Sequence, residues 1–188
     1  MKSWTKQLPA IGLGLPLILG GHTVAAADTA VTSEVKRTQY QDWSVLCNKQ
    51  AKAEICQMQQ VMMINQNNRQ VRMLQTTLTQ TPDKKVVMEL LFPLGVDLRA
   101  GIAMQVDDQP EIRAGFVTCL EAGCIAVVEM NEELMQQFKK GNKAKVGFRG
   151  LGQKDNAVLE LSLKGFSAAS LQLQNTRPTS AKAEKSQD

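Results

Sequence analysis

The chain has 188 residues, 43% apolar and 21% charged, with 22 basic against 18 acidic side chains and a formal net charge of +4, a composition that suits one globular domain with a real core. The basic residues are scattered among acids, the pairs Lys84-Lys85 and Lys139-Lys140 being the densest, so no nucleic-acid partner is expected, since that needs a concentrated basic face. Histidine occurs once, at His22, in a segment expected to be removed, which excludes Ser-His-Asp and Cys-His nucleophiles, zincin motifs and every histidine-containing metal site from the mature chain.

Residues 1–27 have the form of a secretory signal peptide. Lys2 and Lys6 make its positive start, and an apolar run from Leu8 to Gly21 follows, interrupted by Pro9 and Pro16. Ala25-Ala26-Ala27 then offers the small side chains that a signal peptidase requires, placing the cleavage between Ala27 and Asp28. A run of about 14 apolar residues falls short of the ~20 that cross a bilayer. No other stretch approaches that length, so the mature chain is expected to have no transmembrane span and to reside in the periplasm or outside the cell. Removing Lys2 and Lys6 leaves 20 basic side chains against 18 acidic ones, a net charge of +2.

Residues 28–38 lack apolar periodicity and read as an N-terminal arm. Period-two patterning, the mark of half-buried strands, dominates from there to residue 173. Trp43, Val45 and Cys47 alternate with Asp42, Ser44 and Leu46; Met58, Met62 and Ile64 share one parity; Arg69 to Thr79 alternates less cleanly. Lys85 to Phe92, KVVMELLF, is apolar on both faces and suits a central strand. The cleanest alternation runs through Leu98, Ala100, Ile102, Met104 and Val106 and ends at the turn Asp107-Asp108-Gln109-Pro110. Further strands are expected at Ile112 to Cys119, Ile125 to Met130, Lys143 to Phe148 and Ala157 to Leu163, the last two joined by a hairpin connection over Gly150 to Asn156.

One helix, about residues 131–140, interrupts the strands. Asn131 caps it, Glu132-Glu133 and Lys139-Lys140 suit its dipole, Gly141 supplies a left-handed stop, and Leu134, Met135 and Phe138 form its apolar stripe. Residues 174–188 lack apolar periodicity and read as a disordered tail. About nine short strands with one helix point to an antiparallel sandwich or barrel, between which the pattern does not choose.

Four cysteines in an exported chain imply two disulfides, with three possible connectivities. The short separations favour local pairing, Cys47 with Cys56 and Cys119 with Cys124. Neither spacing is that of a zinc knuckle or of a C-x-x-C redox pair, so no metal or cofactor is expected.

An ordered set of motifs carries a family resemblance: DWSVLC from Asp42 to Cys47, Cys56, PLGVDLRAG from Pro93 to Gly101, VDDQP from Val106 to Pro110, FVTCLEAGC from Phe116 to Cys124 and SLKGFSAA from Ser162 to Ala169. Together they resemble the invasion-associated locus B family of exported bacterial proteins, over roughly residues 39–171. The resemblance implies an immunoglobulin-like antiparallel β-sandwich in the periplasm or outer envelope, and a family named for a member implicated in invasion of erythrocytes. It supplies no catalytic residues. Phe92, Arg99 and the charged tail depart from the family's usual pattern.

Chemistry that needs no histidine is thinly represented. Ser33-x-x-Lys36 has the shape of a serine-lysine nucleophile but falls in the arm without companion motifs. Ser162-x-Lys164 sits at a strand end; Asp107-Asp108 and Glu132-Glu133 already serve a turn and a helix start; Gly150-x-Gly152 lacks the third glycine and helix of a nucleotide loop. The expected function is therefore a non-enzymatic exported module that binds a protein or a cell surface. An envelope-maintenance protein and an enzyme with a histidine-free site are the alternatives.

Overall fold

The computed structural model describes residues 35–50 and 53–176. The signal segment with its cleavage pair Ala27-Asp28, most of the arm including Ser33, and the chain beyond Thr176 lie outside the described residues. Among those described, eleven strands and two helices follow one another: β1 (Val35–Tyr40), β2 (Trp43–Gln50), β3 (Ala53–Gln66), β4 (Arg69–Gln80), β5 (Val86–Phe92), β6 (Ile102–Val106), β7 (Ile112–Ala114), β8 (Phe116–Leu120), β9 (Gly123–Met130), α1 (Glu132–Lys140), β10 (Lys143–Arg149), β11 (Asn156–Ser162) and α2 (Phe166–Asn175).

Every strand pairing is antiparallel. A seven-stranded sheet runs in the order β1-β2-β3-β4-β5-β9-β8, and a four-stranded sheet in the order β11-β10-β6-β7. Alternation decides which side chains enter the core. Trp43, Val45 and Cys47 of β2, Met58 of β3, Leu74 and Leu78 of β4, and Met88, Leu90 and Phe92 of β5 are buried from the large sheet, facing Met104, Ala144, Val146 and Leu161 of the small one. Phe92 meets Phe148 across the gap with ring centroids 5.1 Å apart. The two layers form an open sandwich of the immunoglobulin-like kind, with β5 central as its two-faced apolar run requires.

Helix α2 packs against β1 to β4 of the large sheet. Phe166 packs edge-on against Trp43 at 5.1 Å and against Phe138 of α1 at 5.2 Å, so both helices close the same core. Asn131 caps α1 as expected, its Oδ1 accepting from the Leu134 N–H at 2.8 Å.

Several expectations are corrected. The arm is shorter than 28–38, because Val35–Tyr40 pairs along β2 as an edge strand; an edge strand is held by backbone hydrogen bonds and carries charges such as Lys36 and Arg37 without needing apolar alternation. The alternating run at 98–106 is strand only from Ile102. Asp97 turns the chain first, its carbonyl accepting from Ala100 N–H at 3.1 Å, and Gly101 at φ +63° ends that turn against the Ala114 carbonyl. Ile112 to Cys119 divides at Gly115 into β7 and β8, which belong to different sheets. Gly141 is extended (φ −74°, ψ 164°), not left-handed. Its role is space, since a Cβ there would meet Val106 Cγ1 at 2.6 Å and the Gln137 carbonyl at 2.9 Å.

The domain also has a second helix beyond the one expected, and α2 carries the chain to Asn175, past the expected tail boundary at 174. Gly165 starts it at φ +87°, with its Cα set so close to the Tyr40 carbonyl that any side chain would collide with it. Phe166 is thereby directed into the core as a helix residue.

Candidate functional site

All four cysteines are oxidised and none is free. Cys47 and Cys56 are directly opposed partners on β2 and β3, with Cα atoms 4.1 Å apart. Cys119 and Cys124 oppose each other on β8 and β9, at 3.9 Å. Both bonds staple neighbouring strands within the large sheet. They leave no thiolate for a metal or for exchange chemistry.

The hydroxyl of Ser162 lies 2.5 Å from Asp42 Oδ2 and accepts from the Lys164 N–H at 3.3 Å. The backbone of Ser162 is engaged as well: its carbonyl accepts from Trp43 Nε1 and Gln60 Nε2, both at 2.9 Å, and its N–H donates to Gln60 Oε1 at 3.1 Å. This network ties the end of β11 to β2 and β3. Asp107 accepts from the backbone N–H groups of Asn142 (2.9 Å) and Lys143 (3.1 Å), and these bonds lower its carboxyl below the usual value. It also lines a cleft beside α1 with Gln109, Glu133, Gln136 and Lys140. Its carboxylate is committed to joining two turns. Glu132 and Glu133 occupy the first turn of α1, and Gly150 and Gly152 lie where β10 turns into β11. Asp107 and Glu133 share that cleft, and the other candidates are not gathered with them.

It does assemble a different constellation, where the loop between β5 and β6 meets the β10–β11 turn. Val96 bridges to Gly150, Asp97 N–H donates to the Arg149 carbonyl at 2.8 Å, and Leu151 N–H donates to the Gly95 carbonyl at 2.7 Å. The Asp97 side chain, in a residue only 8% exposed, accepts from Arg99 N–H at 3.1 Å and faces Arg99 Nε at 3.4 Å and Arg149 Nε at 3.6 Å. Partial burial pushes this carboxyl upward. The hydrogen bonds from Arg99 and the two guanidinium charges outweigh it, and the pKa is lowered.

A lowered pKa in the folded state makes Asp97 a source of stability above the ordinary carboxylate range, lost as pH falls through the folded value. Asp97→Asn therefore lowers Tm near neutral pH. The difference from the parent begins to shrink below about pH 4, where the unfolded chain's aspartate takes up its proton, and is lost as pH falls through the lowered folded value. Thermal melts of both proteins across that range check this; a difference that stays constant to acid pH would show that the charge of Asp97 contributes nothing.

Above this anchored base, Leu94, Leu98 and Leu151 stand 61%, 52% and 67% exposed. Leu98 was expected in a strand, and Leu151 falls in the expected hairpin connection. Leucines placed beside Pro93, Gly95, Gly150 and Gly152 were the available signal, because turn residues keep neighbouring apolar side chains out of the regular layers.

The profile of the family described as "Invasion associated locus B (IalB) protein" matches residues 43–174. The chain belongs to this family. Invasion protein B homologues from two strains of Brucella abortus are each 32% identical to it over 165 residues, spanning 87% of this chain and 94% of theirs. The crystal structure of invasion associated protein B from Bartonella henselae superposes with a TM-score of 0.65 at 25% identity, covering 73% of this chain and 94% of that one. These relatives are named for invasion and not for a reaction. Membership and the two disulfides are consistent with an exported protein. Among the described residues, no helix is long and apolar enough to cross a membrane.

Proposed function

We propose that this protein is an exported, non-enzymatic binding module of the periplasm or outer envelope, and that it contributes to host-cell invasion through contact with a protein or cell surface. The observation that carries the reading is the loop end around Asp97. Rigid backbone and ion-pair links hold three leucines outward there, and exposed apolar side chains gathered on anchored loops mark interaction surfaces more often than catalytic ones. The lack of histidine after residue 22 and the structural engagement of Ser162 and Asp107 support a role without catalysis. The printed names of the relatives from Brucella and Bartonella support the link to invasion.

Two experiments test this together. Deletion of the gene, with host-cell invasion and envelope-integrity assays run in parallel, should reduce invasion while leaving the envelope intact; the reverse pattern favours envelope maintenance. The oxidised protein should bind host cells or envelope extracts saturably and lose that binding on reduction. Turnover of general hydrolase substrates by the same preparation would overturn the non-enzymatic reading.

A further inference from the structure

We propose that the loop end bearing Leu94, Leu98 and Leu151 docks on the surface of an anionic phospholipid bilayer; this names the partner of the binding module proposed above and rests on that reading. The three leucines project from two turns held edge to edge by the Leu151–Gly95 hydrogen bond and the Val96–Gly150 bridge, so they move as one unit. Each is more than half exposed. Separate apolar tips on turns suit a fluid acyl boundary, which needs no matching pocket, whereas a protein partner must supply a complementary cavity for each one.

The charge around the tips has the complementary sign. Arg99, Arg149 and Lys154 border them, against one exposed acid, Asp155, while Asp97 lies buried beneath the two arginines. Arg149 is the last residue of β10, directly behind Leu151, and a long basic side chain in that position reaches phosphate groups while the leucine enters the interface. A second basic element stands at the same end. The β3–β4 ribbon continues past the last pairings of β2 and β5, at Gln59 and Gln75, and turns at Asn67-Asn68. It carries Arg69 and Arg72, and Arg72 donates to the Ala122 carbonyl at 2.7 Å, in the turn that also bears Glu121. Gly123 of that turn packs on the Phe92 carbonyl, two residues before Leu94. Basic side chains therefore outnumber acidic ones across the whole end.

The test uses the full exported protein in oxidised form, cosedimented with vesicles of phosphatidylcholine alone and of phosphatidylcholine mixed with phosphatidylserine. Retention on the mixed vesicles is expected to exceed that on neutral ones by about tenfold and to fall as salt is raised. Leu94→Ser, Leu98→Ser and Leu151→Ser together should reduce it by roughly tenfold or more, with an unchanged Tm because the three side chains are exposed. R69Q combined with K154Q should weaken retention on mixed vesicles only. Absence of retention on either vesicle, or a triple variant that binds like the parent, overturns the proposal. If vesicles fail but intact cells bind the parent saturably and not the triple variant, the partner is a protein: the lipid inference falls and the binding-module reading stands. If cells and envelope extracts fail as well, both fall.

Discussion

Replacing Phe166 with alanine lowers the free energy of unfolding by about 3–5 kcal/mol, the cost of deleting a buried aromatic ring and leaving its cavity. The ring is fully buried and lies between Trp43 and Phe138, joining α2, β2 and α1 in one aromatic row. Its neighbours are poorly placed to fill the gap. Gly165 on one side is locked against the Tyr40 carbonyl, and the Trp43 indole is fixed by its bond to the Ser162 carbonyl. Leu171, on the same helix but 60% exposed, supplies the control: Leu171→Ala should change stability by less than about 0.5 kcal/mol. Denaturant unfolding of the oxidised proteins measures both. If Phe166→Ala costs no more than Leu171→Ala, α2 is not part of the cooperative core.

Removing both disulfides, by Cys47→Ala with Cys56→Ala and Cys119→Ala with Cys124→Ala, is expected to cost about 5 kcal/mol in all. The bonds close loops with sequence separations of 9 and 5, and loops of that size are worth roughly 2 to 3 kcal/mol each in the chain-entropy account. The sum is comparable with the whole stability of many domains of this size, for which 5–15 kcal/mol is usual. The quadruple variant should therefore be largely unfolded at 37 °C. The two bonds also differ in reach. Cys119–Cys124 holds the β8–β9 turn whose Gly123 abuts Phe92, immediately before the exposed loop, so losing this bond alone should impair surface binding at a given fraction folded. Cys47–Cys56 sits between β2 and β3 and should act through global stability only. Separate double variants, compared by melting temperature and by cell binding, distinguish these effects; equal binding losses at equal fraction folded would remove the local role.

Much of this domain was legible because the signals were local. Trp43, Val45 and Cys47 announce β2 by parity, KVVMELLF announces a strand inside the sheet, though only its Val86, Met88, Leu90 and Phe92 face is buried and Glu89 on the other face is exposed, and Asn131 with Leu134, Met135 and Phe138 announces α1 by cap and stripe. The pairing of the cysteines followed from short separations in an antiparallel hairpin context. The failures have a common cause in tertiary competition. Leu98 and Ala100 keep the parity of a strand, but the Asp97 carboxylate draws in Arg99 and Arg149 and bends the chain into a turn instead. Residues 166–175 place Phe166, Ala169, Ser170 and Leu173 at helical spacing, a signal that was present but faint without charges or a side-chain cap. The packing of α2 on β1 to β4 is a tertiary contact that local patterning does not report.

The sequence by itself pointed to the class of this protein: no histidine after residue 22, a period-two majority and four cysteines close enough to pair locally, in an order of motifs that resembles the invasion-associated locus B family. Each of those is a property of neighbouring residues, where spacing alone constrains geometry. The tertiary structure decided which exposed apolar side chains emerge at one end of the domain. Leu94, Leu98 and Leu151 lie up to 57 positions apart in the chain, and they share a surface only because β5 and β10, from opposite layers of the sandwich, end beside each other and are joined through Asp97 and Arg149. Sequence patterning reports which side chains leave the core; only the packing of the two sheets reports which of them come out together.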